Sequence, residues 1–156
     1  MSDEQLGHEK TLTALVPALA GASLIYGSGM TESGVTFDCA QFVIDNEIAR
    51  MIRLVVRGLT VSDETLLVDD IHTVGPFGDY LSLPSTLAGM RGPSTSLLFD
   101  RRVREDWEAD GAKDVYEIAR AQALEILEDH RPEPLDADVV AAVKAVSARV
   151  DRELGR

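Results

Sequence analysis

The side chains with the means for chemistry gather in one stretch, Ser23–Leu59. A short apolar run, Ser23-Leu24-Ile25-Tyr26, enters a loop punctuated by Gly27, Gly29 and Gly34, and the loop feeds a long amphipathic segment. The stretch holds a phenol, Tyr26, a thiol, Cys39, and the carboxylates Glu32, Asp45 and Glu47. The pattern predicts a strand, a loop and a helix in that order. In parallel α/β proteins such a loop lies at the carboxyl end of its strand, where ligands bind. That placement singles out Glu32, which either faces a ligand or is solvated and caps the following turn. Asp45 and Glu47 are two residues apart, so on a helix they point about 200° away from each other and form no acid–base dyad. Both lie early in the helix, where negative charge offsets the macrodipole, and Glu47 is spaced to pair with Arg50.

Other chemistries fit poorly. The glycine spacing is not that of a dinucleotide fold, and an acidic loop repels phosphate. Ser28 and Ser33 lack the frame of a nucleophile elbow. His8, His72 and His130 are far apart with no neighbour at metal-ligand spacing, so no metal site is expected. Cys39 is the only cysteine, which rules out an internal disulfide or a multi-thiolate zinc site. It is expected to be buried, although a helix start would favour its thiolate. With 27 acidic against 15 basic residues and a net charge of −12, neither nucleic acid nor an anionic membrane is an expected partner. Neither a secretory leader nor an apolar run long enough to span a bilayer is evident, and the expected compartment is the cytoplasm.

The elements that must position these residues follow from periodicity. Ser2-Asp3-Glu4-Gln5 has the capping-box pattern and predicts a helix from the terminus to Gly21, with Leu12, Leu15, Val16 and Leu19 on one face and Pro17 bending its end. Ala40–Leu59 is the strongest helix, with Ile44, Ile48, Met51, Val55 and Leu59 on one side. Asp63 is expected to cap a helix to Thr73, and Gly75-Pro76-Phe77-Gly78 to break it. Tyr80–Pro93 reads as irregular with at most one helical turn, and Ser96–Phe99 as extended. Helices are expected at Arg102–Ala109, at Lys113–His130, and after Asp136, where Val139, Val143, Val146, Val150 and Leu154 align; this stripe and Trp107 read as core or interface. The sum is a mostly α chain with one or two short strands. One strand cannot make a sheet, so Ser23–Gly27 needs partners the chain does not supply.

Beyond these elements, Gly7-His8-Glu9-Lys10, Tyr26-Gly27-Ser28-Gly29-Met30-Thr31-Glu32-Ser33-Gly34 and Val43-Ile44-Asp45-Asn46-Glu47-Ile48 resemble the trimethylamine methyltransferase family. Val74–Gly78, Leu98–Arg102, Trp107–Asp114 and His130–Leu135 continue the likeness in the same order. The resemblance implies the C-terminal part of a TIM (β/α)8 barrel plus its helical tail. Residues 1–156 would form a single unit, with 1–60 as the last helix–strand–helix of the barrel and 61–156 as a helical extension. It implies methyl transfer from trimethylamine, or a quaternary amine such as glycine betaine, to the cobalt of a corrinoid (cobalamin) on a partner protein, with no cofactor bound directly. Partners would be that corrinoid protein and an upstream barrel polypeptide; the alternative is a non-enzymatic helical module that docks on another chain or forms a homo-oligomer. A quaternary ammonium has no N–H to donate, so it is held by carboxylate charge and aromatic faces. The substrate-binding candidates are therefore Tyr26, Glu32, Asp45 and Glu47, with Asp45 facing the barrel mouth and no residue assigned a catalytic step. Family members commonly carry histidines near Asp79 and Ser85, and their loss here departs from the pattern.

Overall fold

The computed structural model describes residues 3–90, 92 and 96–155. The chain divides into two compact units, Met1–Leu124 and Glu125–Arg156. In the first lie α1 (Glu4–Leu19), a two-residue antiparallel ribbon of β1 (Met30–Thr31) and β2 (Thr36–Phe37), α2 (Cys39–Arg57), α3 (Asp63–Leu66), α4 (Val68–Val74), α5 (Pro84–Gly89), α6 (Arg104–Ala109) and α7 (Val115–Asp129) as far as Leu124. The second holds the end of α7 and α8 (Ala137–Glu153). No helix among the described residues is long and apolar enough to cross a membrane.

The predicted helices form, and their ends obey local rules. Asp3 caps α1 by accepting from the Leu6 amide, while Ser2, expected in that role, lies outside the described residues. Gly21, at φ +83°, ends the turn after α1, and Gly58 closes α2. The expected helix from Asp63 is in fact two. Ser62, not Asp63, is the N-cap, sharing a reciprocal capping box with Thr65, and Leu67 at φ 51° separates α3 from α4. Ser96–Phe99 is not extended, because the Ser96 hydroxyl accepts from both the Leu98 and Phe99 amides and curls the backbone.

Packing differs from the apolar stripes. On α2 the buried line is Ala40, Ile44, Ile48 and Ile52, an i, i+4 ridge, while Met51, Val55 and Leu59 are exposed. Small residues of α1, Ala14 and Ala18, meet this ridge together with Leu15, whereas Leu12, Val16 and Leu19 point away. Small side chains let the two helices approach closely, which outweighs the larger apolar area of the neighbouring face. Leu98 and Ala119 complete the core. In α8 the aligned Val139, Val143, Val146, Val150 and Leu154 are all exposed, so this stripe is not core. Trp107 is half-buried and donates to the Lys113 carbonyl at 2.8 Å.

The expected strand at Ser23–Gly27 is absent. The run is drawn out but pairs with nothing among the described residues, and Leu24 and Tyr26 are 80% and 84% exposed. A strand is defined by its ladder, and no second long strand exists here to provide one.

Asp38 ties α2 to α7. Its carboxylate accepts from the Ala40 and Gln41 amides at the start of α2 and from the Tyr116 hydroxyl at 2.8 Å. Burial pushes the Asp38 carboxyl up, but the Tyr116 hydroxyl and the two amides together outweigh it and hold the group below its ordinary 3.8. The Tyr116 phenol moves up, because donating to a carboxylate keeps its proton in place. Since the folded value of Asp38 lies below the unfolded one, its contribution is complete above the ordinary carboxylate range and is lost progressively as pH falls from 3.8 through the lower folded value. Asp38→Ala is expected to cost about 1–2 kcal/mol in urea unfolding at neutral pH. Asp38→Asn should show a smaller fall in melting temperature than the wild type between pH 6 and pH 2; equal falls would remove Asp38 from the acid response.

Candidate functional site

The glycine loop is folded back as a hairpin rather than left as an open turn. Met30 pairs with Phe37 and Thr31 with Thr36, while Glu32, Ser33 and Gly34 turn the chain at φ values of 50°, 56° and 88°. The Glu32 carboxylate accepts from the Thr36 hydroxyl at 2.5 Å, which holds this left-handed corner. Gly29 sits at φ +75° against the Phe37 ring and Phe42 Cβ, and the two phenyl rings have centroids 5.7 Å apart.

Asp45 anchors the hairpin from below. It is 6% exposed, and both oxygens are engaged: Oδ1 accepts from Gln41 Nε2 at 2.7 Å, and Oδ2 from the Gly29 amide at 2.8 Å. The Lys10 ammonium lies 3.1 Å from the same Oδ2 and donates to the Gly27 carbonyl at 2.6 Å, itself 19% exposed. One carboxylate thus joins α1, the loop and α2. Burying two charges is costly unless they are paired and further hydrogen-bonded, and here both conditions hold.

An open cleft of about 820 Å³ lies between α1, the loop and α2, bordered by Tyr26, Glu32 and Asp45. Three of the four residues expected to contact a substrate are therefore brought together. Glu47 is not among them. It is 4% exposed on another side of α2, where it pairs with Arg50 at 2.9 Å and accepts from the Leu97 amide at 3.3 Å. Its carboxylate joins α2 to the segment before α6. The cleft carries three carboxylates, Glu9, Glu32 and Asp45, against two cations, Lys10 and Arg53. The balance is acidic, and with the phenol of Tyr26 it suits a small organic cation.

Two residues of this site escaped the sequence reading. Gln41 was detectable, because glutamine and aspartate at i and i+4 face each other on a helix. Lys10 had no local signal: its partners are the carbonyl of Gly27 and the carboxylate of Asp45, neighbours only after folding. Cys39, expected to be buried, is exposed at the first position of α2. Asp79 accepts from the Leu81 amide, and the buried Ser85 hydroxyl has no hydrogen-bond partner among the described residues. No group of three His, Cys, Asp or Glu among the described residues could hold a metal ion.

Residues 1–155 match the family model described as trimethylamine methyltransferase. The chain is 49% identical over 153 residues to a trimethylamine methyltransferase of Desulfitobacterium hafniense, covering 98% of this chain and 31% of that protein. It is 45% identical over 143 residues to one of Methanosarcina thermophila, covering 92% of this chain and 30% of that protein. A glycine betaine methyltransferase of Desulfitobacterium hafniense is 28% identical over 155 residues, with 98% of this chain and 32% of that protein covered. The chain thus spans about three tenths of the length of these relatives.

The loop geometry makes two glycines unequal. A Cβ on Gly29 would lie 2.7 Å from Phe37 Cε2 and 3.0 Å from Phe42 Cβ, whereas one on Gly34 would meet only Met30 Sδ at 3.9 Å. Gly34→Ala is expected to cost about 1–2 kcal/mol for its left-handed backbone. Gly29→Ala carries the same backbone cost plus a clash, about 1–3 kcal/mol more. Urea unfolding of the two variants measures the difference, and equal losses would show that the Phe37 ring yields.

Proposed function

The chain belongs to the trimethylamine methyltransferase family, and from that premise we propose that it is the C-terminal third of an amine methyltransferase. The reaction moves a methyl group from trimethylamine, or a quaternary amine such as glycine betaine, to a corrinoid protein. The observation that carries this reading is the unpaired run Ser23–Gly27, which leads straight into the cleft bordered by Tyr26 and Glu32. Read as a TIM-barrel strand, the run lacks its neighbours on both sides, and its loop stands at the ligand end. Exposed large apolar side chains beside the α1–α2 contact, such as Val16 and Leu19, support the same reading. On this reading residues 1–60 are the last helix–strand–helix of the barrel, residues 61–156 are its helical extension, and the protein works in the cytoplasm.

Within the site, Glu32 supplies charge and Tyr26 an aromatic face, the attractions open to a quaternary ammonium, which has no N–H, while protonated trimethylamine adds one N–H that Glu32 can accept. Asp45 acts through the Gly29 amide, holding the loop that carries Glu32. Glu47, engaged by Arg50 and the Leu97 amide, serves the packing of α2. The polar side chains bordering the cleft are carboxylates, a phenol, hydroxyls and the cations Lys10 and Arg53; they suit an amine, and among the described residues they offer cobalt neither imidazole nor thiolate. The corrinoid is accordingly assigned to the partner protein, where it supplies the methyl-accepting centre. This chain's part is to bind and orient the amine and to shield it from water.

A second reading has its own support, the exposed apolar stripe Val139, Val143, Val146 and Val150 of α8, which suits a docking module. Light scattering separates the two. Co-expression with a polypeptide carrying the first two thirds of the family's length is expected to give a stable complex, and only that complex should transfer methyl groups from trimethylamine to a corrinoid protein. A monodisperse chain or homo-oligomer that ignores this polypeptide would overturn the methyltransferase reading in favour of the module.

A further inference from the structure

We propose that Lys10 is the positioning and selectivity residue of the cleft: its ammonium fills the cation site of Asp45 and fixes the glycine loop, so that an incoming amine is left with Glu32. The positioning half rests on geometry alone, and the selectivity half rests on the amine reading above.

Asp45 would be the obvious anion for a bound amine, being the most buried carboxylate on the cleft. It is already saturated. Gln41 takes Oδ1, and the Gly29 amide and Lys10 share Oδ2. Lys10 also holds the Gly27 carbonyl at 2.6 Å, so the two residues flanking Ser28 are pinned by the two halves of one ion pair. Tyr26 precedes this pinned segment and Glu32 follows it. Lys10 donates an N–H to the Gly27 carbonyl while its charge lies against Asp45. A quaternary ammonium has none, so it cannot take the place of Lys10. A primary ammonium can do so chemically, but it competes with a group tethered at high effective concentration. The cleft therefore keeps its buried anion for its own lysine; of its two solvent-facing carboxylates, Glu9 accepts from the Gln5 side chain on α1 at 2.9 Å, and Glu32, on the loop that follows Tyr26, remains for the ligand.

Amide exchange and amide chemical shifts of the full chain test both halves. In Lys10→Ala the Gly29 amide is expected to exchange about tenfold faster or more, as its charged acceptor loses its partner. n-Butylammonium, the fragment that the substitution removes, should restore protection; tetramethylammonium should not, and Lys10→Arg should stay close to wild type. If Lys10→Ala does not fold, the same two cations are scored by recovery of helical circular dichroism, and no recovery with n-butylammonium overturns the proposal. Unchanged Gly29 exchange in a folded Lys10→Ala, or equal rescue by tetramethylammonium, overturns it as well. For selectivity, tetramethylammonium is expected to shift the Tyr26 and Glu32 amides in the wild type and to reach Gly29 and Gln41 only in Lys10→Ala. Shifts at Gly29 and Gln41 in the wild type overturn the selectivity half. The absence of any shift in the wild type overturns the selectivity half, while the co-expression result above decides the amine reading and the Gly29 exchange result decides the positioning half.

Discussion

A carboxylate taken out of water must be surrounded by donors, and Asp45 meets that requirement by recruiting three parts of the chain. Gln41 comes from the same helix, the Gly29 amide from the loop and Lys10 from α1. Each donor satisfies the charge only if its own element is in place. The demand of one buried group thus becomes a constraint on how α1 and α2 are juxtaposed and on the path between them. The Phe37 ring and Phe42 Cβ close in on Gly29, where only a residue without a Cβ leaves room.

The apolar core shows the same economy. Ala40, Ile44, Ile48 and Ile52 of α2 contribute most of the buried apolar side chains, with Ala14 and Ala18 of α1 packed against them. Alanine faces bring helices close but bury little area each, so this contact is tight and small. Large apolar residues beside it, such as Val16 and Leu19, remain in solvent. That distribution is costly for a self-contained domain and natural for one wall of a larger one, in keeping with relatives about three times as long.

The two acidic residues that α2 sends inward have diverged in role because they point in different directions. Asp45 turns toward the loop and the cleft. Glu47 turns toward the chain beyond α5, where the Leu97 amide and Arg50 take its two oxygens. Neither is left as a bare charge, which leaves Glu32 as the carboxylate held only by a hydroxyl, at the exposed corner of the hairpin.

Much of the local structure was legible in the residues themselves. The four longest helices, the glycine stop of α1, the break at Gly75–Gly78 and the Glu47–Arg50 pair all follow from interactions within a few residues, which periodicity, capping and i, i+3 spacing encode directly. The family likeness was legible too, through short motifs kept in order along the chain. Tertiary structure alone decided which face of each helix is buried, because Ala14 and Ala18 prevail over Leu12 and Val16 only when a second helix arrives. It also decided that Ser23–Gly27 stays unpaired, since a strand exists only with a partner, and that Lys10 belongs to Asp45. Such pairings join groups distant along the chain, and the energy that selects them does not exist until the chain has folded.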